Sequence, residues 1–187
     1  MNGTIEQLRA AVYGQAVGDA LGVPYEFHDR GTSTCTGMIG HGTHNQPAGT
    51  WSDDTSMMLA TLDSLIDNDW QVDIEDMRER FNAWLHDGEY AIDGKVFDCG
   101  NTVREALRRG HGLDGEWDNG NGSLMRIMPL AFTDAGRETV GEVSAITHAH
   151  RLSQECCWTW VQLLRSALHG NGLGRLGSYA KGYGVIP

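Results

Sequence analysis

Asp53 and Asp54, adjacent and flanked by hydroxyl residues in GTWSDDTSMM (49–58), are the first place where residue types and spacing can do chemistry. Placed ahead of an apolar run, they read as a helix start, where the macrodipole favours carboxylates and acidic side chains cap free N–H groups. Neighbouring helical residues point about 100° apart, so one carboxylate adds little to the other at a single cap. Facing two neighbouring cations is the alternative. Ser52, Asp53 and Asp54 supply the hydroxyl and carboxylate oxygens that suit Mg²⁺ or Mn²⁺.

Three further segments carry polar residues between small ones. VGDALGVPYEF places Asp19 at a helix end and Glu26 just past a proline turn. FDCGNTVREALRRG sets Asp98 ahead of Gly100 and Asn101, and DNGNGSLMRIMPL surrounds Asn121 with glycines. Each alone has a plain structural reading: Asp98 as an N-cap, Glu26 as a surface carboxylate, Asn119-Gly120 as a turn. Backbone N–H groups in a glycine-flanked turn can approach phosphate oxygens without a Cβ in the way.

Taken together, GQAVGDALGVPYEF, GTWSDDTSMMLATLDSLI, FDCGNTVREALRRG, GNGSLMRIMPLAF and ITHAH resemble the ADP-ribosylglycohydrolase family, to which the dinitrogenase-reductase-activating glycohydrolase belongs. The resemblance runs from about Gln7 to about Leu168. It implies an all-α orthogonal helical bundle with a binuclear Mg²⁺ or Mn²⁺ centre, cleaving the bond between ADP-ribose and an acceptor side chain. By position it implies metal ligation by Ser52, Asp53 and Asp54, and proton handling near the scissile bond by Asp98 or Glu26. It likewise implies ADP-ribose binding by Gly120, Asn121, Gly122, Ser123 and Met125. His148 of the ITH segment is placed near the substrate pocket, against the equally weighted reading of a partly buried helix histidine. ADP-ribose or an ADP-ribosylated protein is the implied partner.

One departure matters. The family completes its metal site with a late GGDTDT-like segment, and nothing after Leu168 matches it. The bundle is therefore expected to be incomplete at its C-terminus, with apolar faces of the first and second helices exposed. A homo-oligomer or another chain covering that gap is one expectation. A shortened ADP-ribose-binding protein without catalysis is another. A metal phosphohydrolase would also want paired aspartates, but with histidines at helical ligand spacing that ITHAH does not provide.

The elements that must position these residues read as helical nearly throughout, with little period-two alternation. Thr4 and Gln7 fit a capping box for a first helix through Leu8, Ala11, Val12 and Ala16. Met58, Leu59, Leu62, Leu65 and Ile66 form a second stripe, and Asp73 caps a third helix bearing Met77, Phe81, Trp84 and Leu85. A short helix spans Asn101–Arg109, and a pair spans Glu138–Ala149 and Ser153–Leu168, the latter with Trp160, Val161 and Leu164 inward. Helical Trp and Met residues read as core. The long loops Phe27–Trp51 and Gly110–Ser123 read as functional.

At 187 residues the chain is about one domain, read as 1–169 with a glycine-rich segment at 170–187. A net charge of -11 argues against a broad nucleic-acid footprint, and Arg108-Arg109 reads as a solvated helix end. Four cysteines without a CxxC or secreted pattern suit a reducing cytoplasm. No basic n-region with an apolar h-region opens the chain and no apolar run reaches the roughly 18 residues of a membrane span, so a soluble cytoplasmic protein is expected.

Overall fold

The computed structural model describes residues 2–29 and 31–170; most of the glycine-rich segment, 171–187, lies outside them. Six α-helices occur in these residues: α1 (Ile5–Gly22), α2 (Asp53–Asp67), α3 (Ile74–Asp87), α4 (Asn101–Arg109), α5 (Arg137–Ala145) and α6 (Arg151–Leu168). Short 3₁₀ turns occupy Val23–Tyr25, Gly42–His44, Ile92–Gly94 and Met128–Phe132. Extended pairing among the described residues is confined to two isolated bridges, His41 with Gln46 and Leu113 with His148. The fold is all-α.

Local chemistry starts each helix. Thr4 and Gln7 form the reciprocal capping box on α1. The Ser52 hydroxyl accepts from the Asp54 N–H, and the Asp73 carboxylate accepts from the Glu75 and Asp76 N–H groups. Gly88 and Gly110 end α3 and α4 in left-handed conformation. Arg108 and Arg109 both pair with Glu105 on their own helix.

Packing then sets the helices around α2. Its apolar stripe buries Met57, Met58, Ala60 and Leu65 between α3 and the 3₁₀ turn at Met128–Phe132. Phe81 and Trp84 of α3, Val103 and Leu107 of α4, Val143 of α5 and Val161 of α6 complete the main core. Burying side chains of this size stabilises by about 1.5–3 kcal/mol each. Arg80 ties α3 to α2 through Asp63 and Asp67, and to Asp76 on its own helix.

Three details differ from the expectation. First, of the two helices expected to expose apolar faces, α1 does so, with Ile5, Tyr13 and Val17 outward and only Leu8 and Ala20 buried, whereas α2 exposes Ile66 alone among its large apolar residues. Second, α5 stops at Ala145, four residues short of the predicted end. Thr147 and Ala149 bond to the Leu113 backbone instead, with Leu113 N–H donating to Thr147 O at 3.0 Å and Ala149 N–H to Leu113 O at 2.8 Å. Third, Trp160 does not turn into the core: it is 41% exposed and borders a groove with Leu164. Helical periodicity places both residues on the apolar face, but no described element covers that part of it.

Candidate active site

The starting point is the junction of α1 and α2. Asp19, in the last turn of α1, receives the Ser52 backbone N–H at 2.9 Å and hydroxyl at 2.8 Å, and the Thr55 N–H at 3.0 Å and hydroxyl at 2.6 Å. A carboxylate at a helix C-terminus opposes the macrodipole; here the free N–H groups of α2 compensate it. On the same α1, Gln15 donates to the carbonyls of Asp54 at 3.1 Å and Met125 at 2.6 Å, joining the start of α2 to the Asn121 turn.

Asp53 and Asp54 diverge as their helical offset requires. Asp54 lines a groove of about 650 Å³ together with Glu26, Asn121 and Met125. Asp53 faces a narrow cleft shared with Ser52 and Asp98. Asp98 does not cap α4, whose N-cap is Gly100. It lies instead beside His44, whose Nε2 is 2.6 Å from Glu26 Oε2 and 3.9 Å from Asp98 Oδ2. Gly42 makes this approach feasible: at φ +63°, any Cβ there would sit 2.2 Å from the Pro24 carbonyl oxygen. The rings of Phe27 and Phe97 flank His44 at 5.7 and 5.2 Å.

Five carboxylates thus gather with no Lys or Arg ion-paired to any of them among the described residues. Burial, reinforced by Asp98, Glu26 and Asp19, pushes the Asp53 carboxyl up to about 6. Burial and then the Asp53 charge push Asp54 up to about 7. Burial likewise raises Glu26, against the opposing hydrogen bond from His44. A divalent cation would relieve this crowding, and Ser52, Asp53 and Asp54 present the hard oxygens it prefers. Ligand atoms of Glu26, His44 and Asp98 also lie within 4.8 Å of one another, a candidate metal-binding triad. The 2.6 Å contact between Glu26 and His44 is nevertheless a hydrogen bond, which an ion held between them would have to replace.

The predicted ADP-ribose residues divide in two. Asn121 and Met125 border the groove, and Gly120 is exposed beside them. Ser123 and His148 point away from it. Ser123 is fully buried and hydrogen-bonded to the Ser144 hydroxyl at 2.9 Å. His148 is 2% exposed and lies under the turn, where a Cβ on Gly122 would come within 2.6 Å of its Cε1. Neither is a groove-lining side chain; both support the turn from below.

Sequence reasoning singled out Asp19 without assigning it a role and missed Gln15 and His44. Asp19 had a signal, an acid in the last turn of a helix where a cation is favoured. Gln15 and His44 had none, because their partners lie 39 and 18 positions away.

The all-α scaffold thus places a carboxylate cluster and a glycine-flanked turn on one groove. The chain belongs to the ADP-ribosylglycohydrolase family, whose model matches residues 1–182. It is 33% identical over 178 residues to an ADP-ribosylarginine hydrolase of Pseudomonas putida, covering 88% of this chain and 46% of that protein. It is also 33% identical over 180 residues to the ADP-ribosyl-[dinitrogen reductase] glycohydrolase of Rhodospirillum rubrum, covering 87% of this chain and 58% of that one. A solved ADP-ribosylglycohydrolase-related protein complex superposes with TM-score 0.76 at 29% identity, covering 94% of this chain and 60% of that one. The chain spans about half the length of the curated relatives it matches.

Proposed function

We propose that this chain hydrolyses the glycosidic bond joining ADP-ribose to a protein side chain, with Mg²⁺ or Mn²⁺ as cofactor. The observation that carries the reading is the groove itself, which sets Asp54 and Glu26 against Asn121. Arginine is the acceptor named for one relative and is the first to test here.

Ser52, Asp53 and Asp54 are the residues that would hold the cation. When bound, it supplies positive charge that orients ribose hydroxyls and lowers the pKa of a water. The chain's own groups do the rest. Asn121 and the backbone of Gly120 and Gly122 hold the diphosphate and ribose, with Met125 against the sugar. Glu26, in the groove and raised by burial, gives its proton to the departing side chain. Asp98, in the cleft beside Asp53, is the carboxyl group placed to stabilise the positive character of the anomeric carbon.

The outward apolar face of α1 supports a homo-oligomeric partner or a further segment covering it. A protein acting in the cytoplasm on ADP-ribosylated protein suits the four free cysteines, and no described helix is long and apolar enough to cross a membrane. Nucleic acid is not expected as a ligand. The second reading, ADP-ribose binding without turnover, is an outcome of the same test.

The test is release of ADP-ribose from an arginine-ADP-ribosylated protein with Mn²⁺ or Mg²⁺ added. Metal-dependent release, abolished in Asp53→Ala and Asp54→Ala, is expected. Affinity for ADP-ribose without release by the unaltered chain favours the binding reading, and neither binding nor release overturns both.

A further inference from the structure

Arg126 is fully buried in the core without a carboxylate partner, its Nε unpaired among the described residues. Its guanidinium lies 4.5 Å over the Phe81 ring, donates through Nη1 to Val143 O at 3.1 Å, and through Nη2 to Thr147 Oγ1 at 2.8 Å. An apolar side chain would fill the same space without desolvating a charge, so packing alone does not call for arginine here. What arginine adds is donors.

The Thr147 hydroxyl has two side-chain partners among the described residues, Arg126 and, at 2.9 Å, His148 Nδ1. A guanidinium can only donate, so Thr147 Oγ1 accepts from Arg126 and keeps its own proton to give away. Nδ1 of His148 is the group it meets. An imidazole that accepts at Nδ1 carries its proton on Nε2. That nitrogen lies under the turn: a Cβ on Gly122 would stand 3.2 Å from it, and one on Gly120 3.8 Å. Burial, then the Arg126 charge, hold the His148 ring down at about 4, with Asp118 opposing, so the ring is neutral near pH 7.

We propose that Arg126 is a positioning residue for the Gly120–Gly122 turn: it fills one lone pair of the Thr147 hydroxyl and leaves that hydroxyl's proton to be donated to His148 Nδ1, which keeps a neutral Nε2–H beneath the turn. An uncharged ring can stay folded under a turn that binds a diphosphate. A ring with its proton on Nδ1 would instead turn a lone pair toward the turn. The inference rests on the reading of this turn as the ADP-ribose site.

The test uses the full chain labelled with ¹⁵N-histidine, reading two-bond ¹H–¹⁵N correlations at neutral pH, with the His148 signals assigned by their loss in His148→Asn. Unprotonated Nδ1 and protonated Nε2 are expected in the unaltered chain and in Thr147→Ser. Thr147→Val, which keeps the shape but not the hydroxyl, is expected to move proton onto Nδ1. It should also weaken ADP-ribose binding about tenfold by calorimetry, with Thr147→Ser within about twofold of the original. A proton on Nδ1 in the unaltered chain overturns the proposal, and that measurement holds even if Thr147→Val fails to fold. An unchanged tautomer in folded Thr147→Val overturns it, as does an altered tautomer with unchanged affinity. The expected tautomers in a chain without ADP-ribose affinity bear out the Thr147–His148 hydrogen bond and overturn the ligand reading.

Discussion

Asp19 Oδ2 accepts both the backbone N–H and the hydroxyl of Thr55, at 3.0 and 2.6 Å, so the end of α1 is fastened to the first turn of α2 at the point where Asp53 and Asp54 emerge. The other oxygen of Asp19 takes the Ser52 hydroxyl. One carboxylate on one helix therefore orients the paired acids on the next.

Asp19→Asn follows directly. An amide replaces one acceptor oxygen with an NH₂ group facing donors from Ser52 and Thr55. Chemical denaturation is expected to show a loss of about 2–3 kcal/mol, since charged hydrogen bonds are replaced by donor-donor contacts. ADP-ribose release should fall with it, although Asp19 need touch no substrate.

Asp53 and Asp54 make stability depend on pH and on cation. Their folded carboxyls, at about 6 and about 7, stand above the 3.8 of an exposed aspartate. The unfolded chain therefore releases these protons first as pH rises. Their contribution is fully present below about pH 4 and is lost as pH climbs through 6 to 7. Thermal unfolding in a chelator should show this fall, several kcal/mol for the pair, and Asp54→Asn should reduce it. Added Mn²⁺ should raise the melting temperature at pH 8 and have little effect at pH 5, where protons occupy the same oxygens.

Gly122 and Gly120 are expected to respond differently to the same change. A methyl group at Gly122 meets His148 Cε1 at 2.6 Å and Val103 Cγ2 at 3.0 Å, while one at Gly120 comes no closer than 3.8 Å to His148 Nε2. Gly122→Ala should weaken ADP-ribose binding tenfold or more, on the order of 1.4 kcal/mol, and Gly120→Ala much less. Equal losses from both would show that the turn is not braced by the histidine beneath it.

His44 holds Glu26 by a hydrogen bond that pulls the Glu26 carboxyl down. His44→Ala removes that pull and should raise Glu26 further. If Glu26 works as the acid, the alkaline limb of the kcat/KM profile should move to higher pH. The substitution also frees the Gly42–His44 turn, which faster amide exchange at 41–46 would report.

The sequence alone determined the helices, because their signals are local. The Thr4–Gln7 box, the Asp73 cap and the apolar stripe of α2 each operate within a few residues, and the family motifs lie within short contiguous segments. Where local periodicity met long-range partners it failed. Thr147 and Ala149 continue a helical pattern, yet their backbone groups bond to Leu113; Trp160 keeps its place on an apolar stripe, yet borders the groove. Tertiary structure decided how the polar residues divide: Asp54 into the groove, Asp53 into the cleft, Ser123 and His148 beneath the turn. It also gave Asp19 its partners and brought in Gln15 and His44, whose roles come from residues far along the chain. The physical reason is that a side chain's burial and hydrogen-bond partner depend on which other elements close over it, and that information is absent from the spacing of residues along one helix.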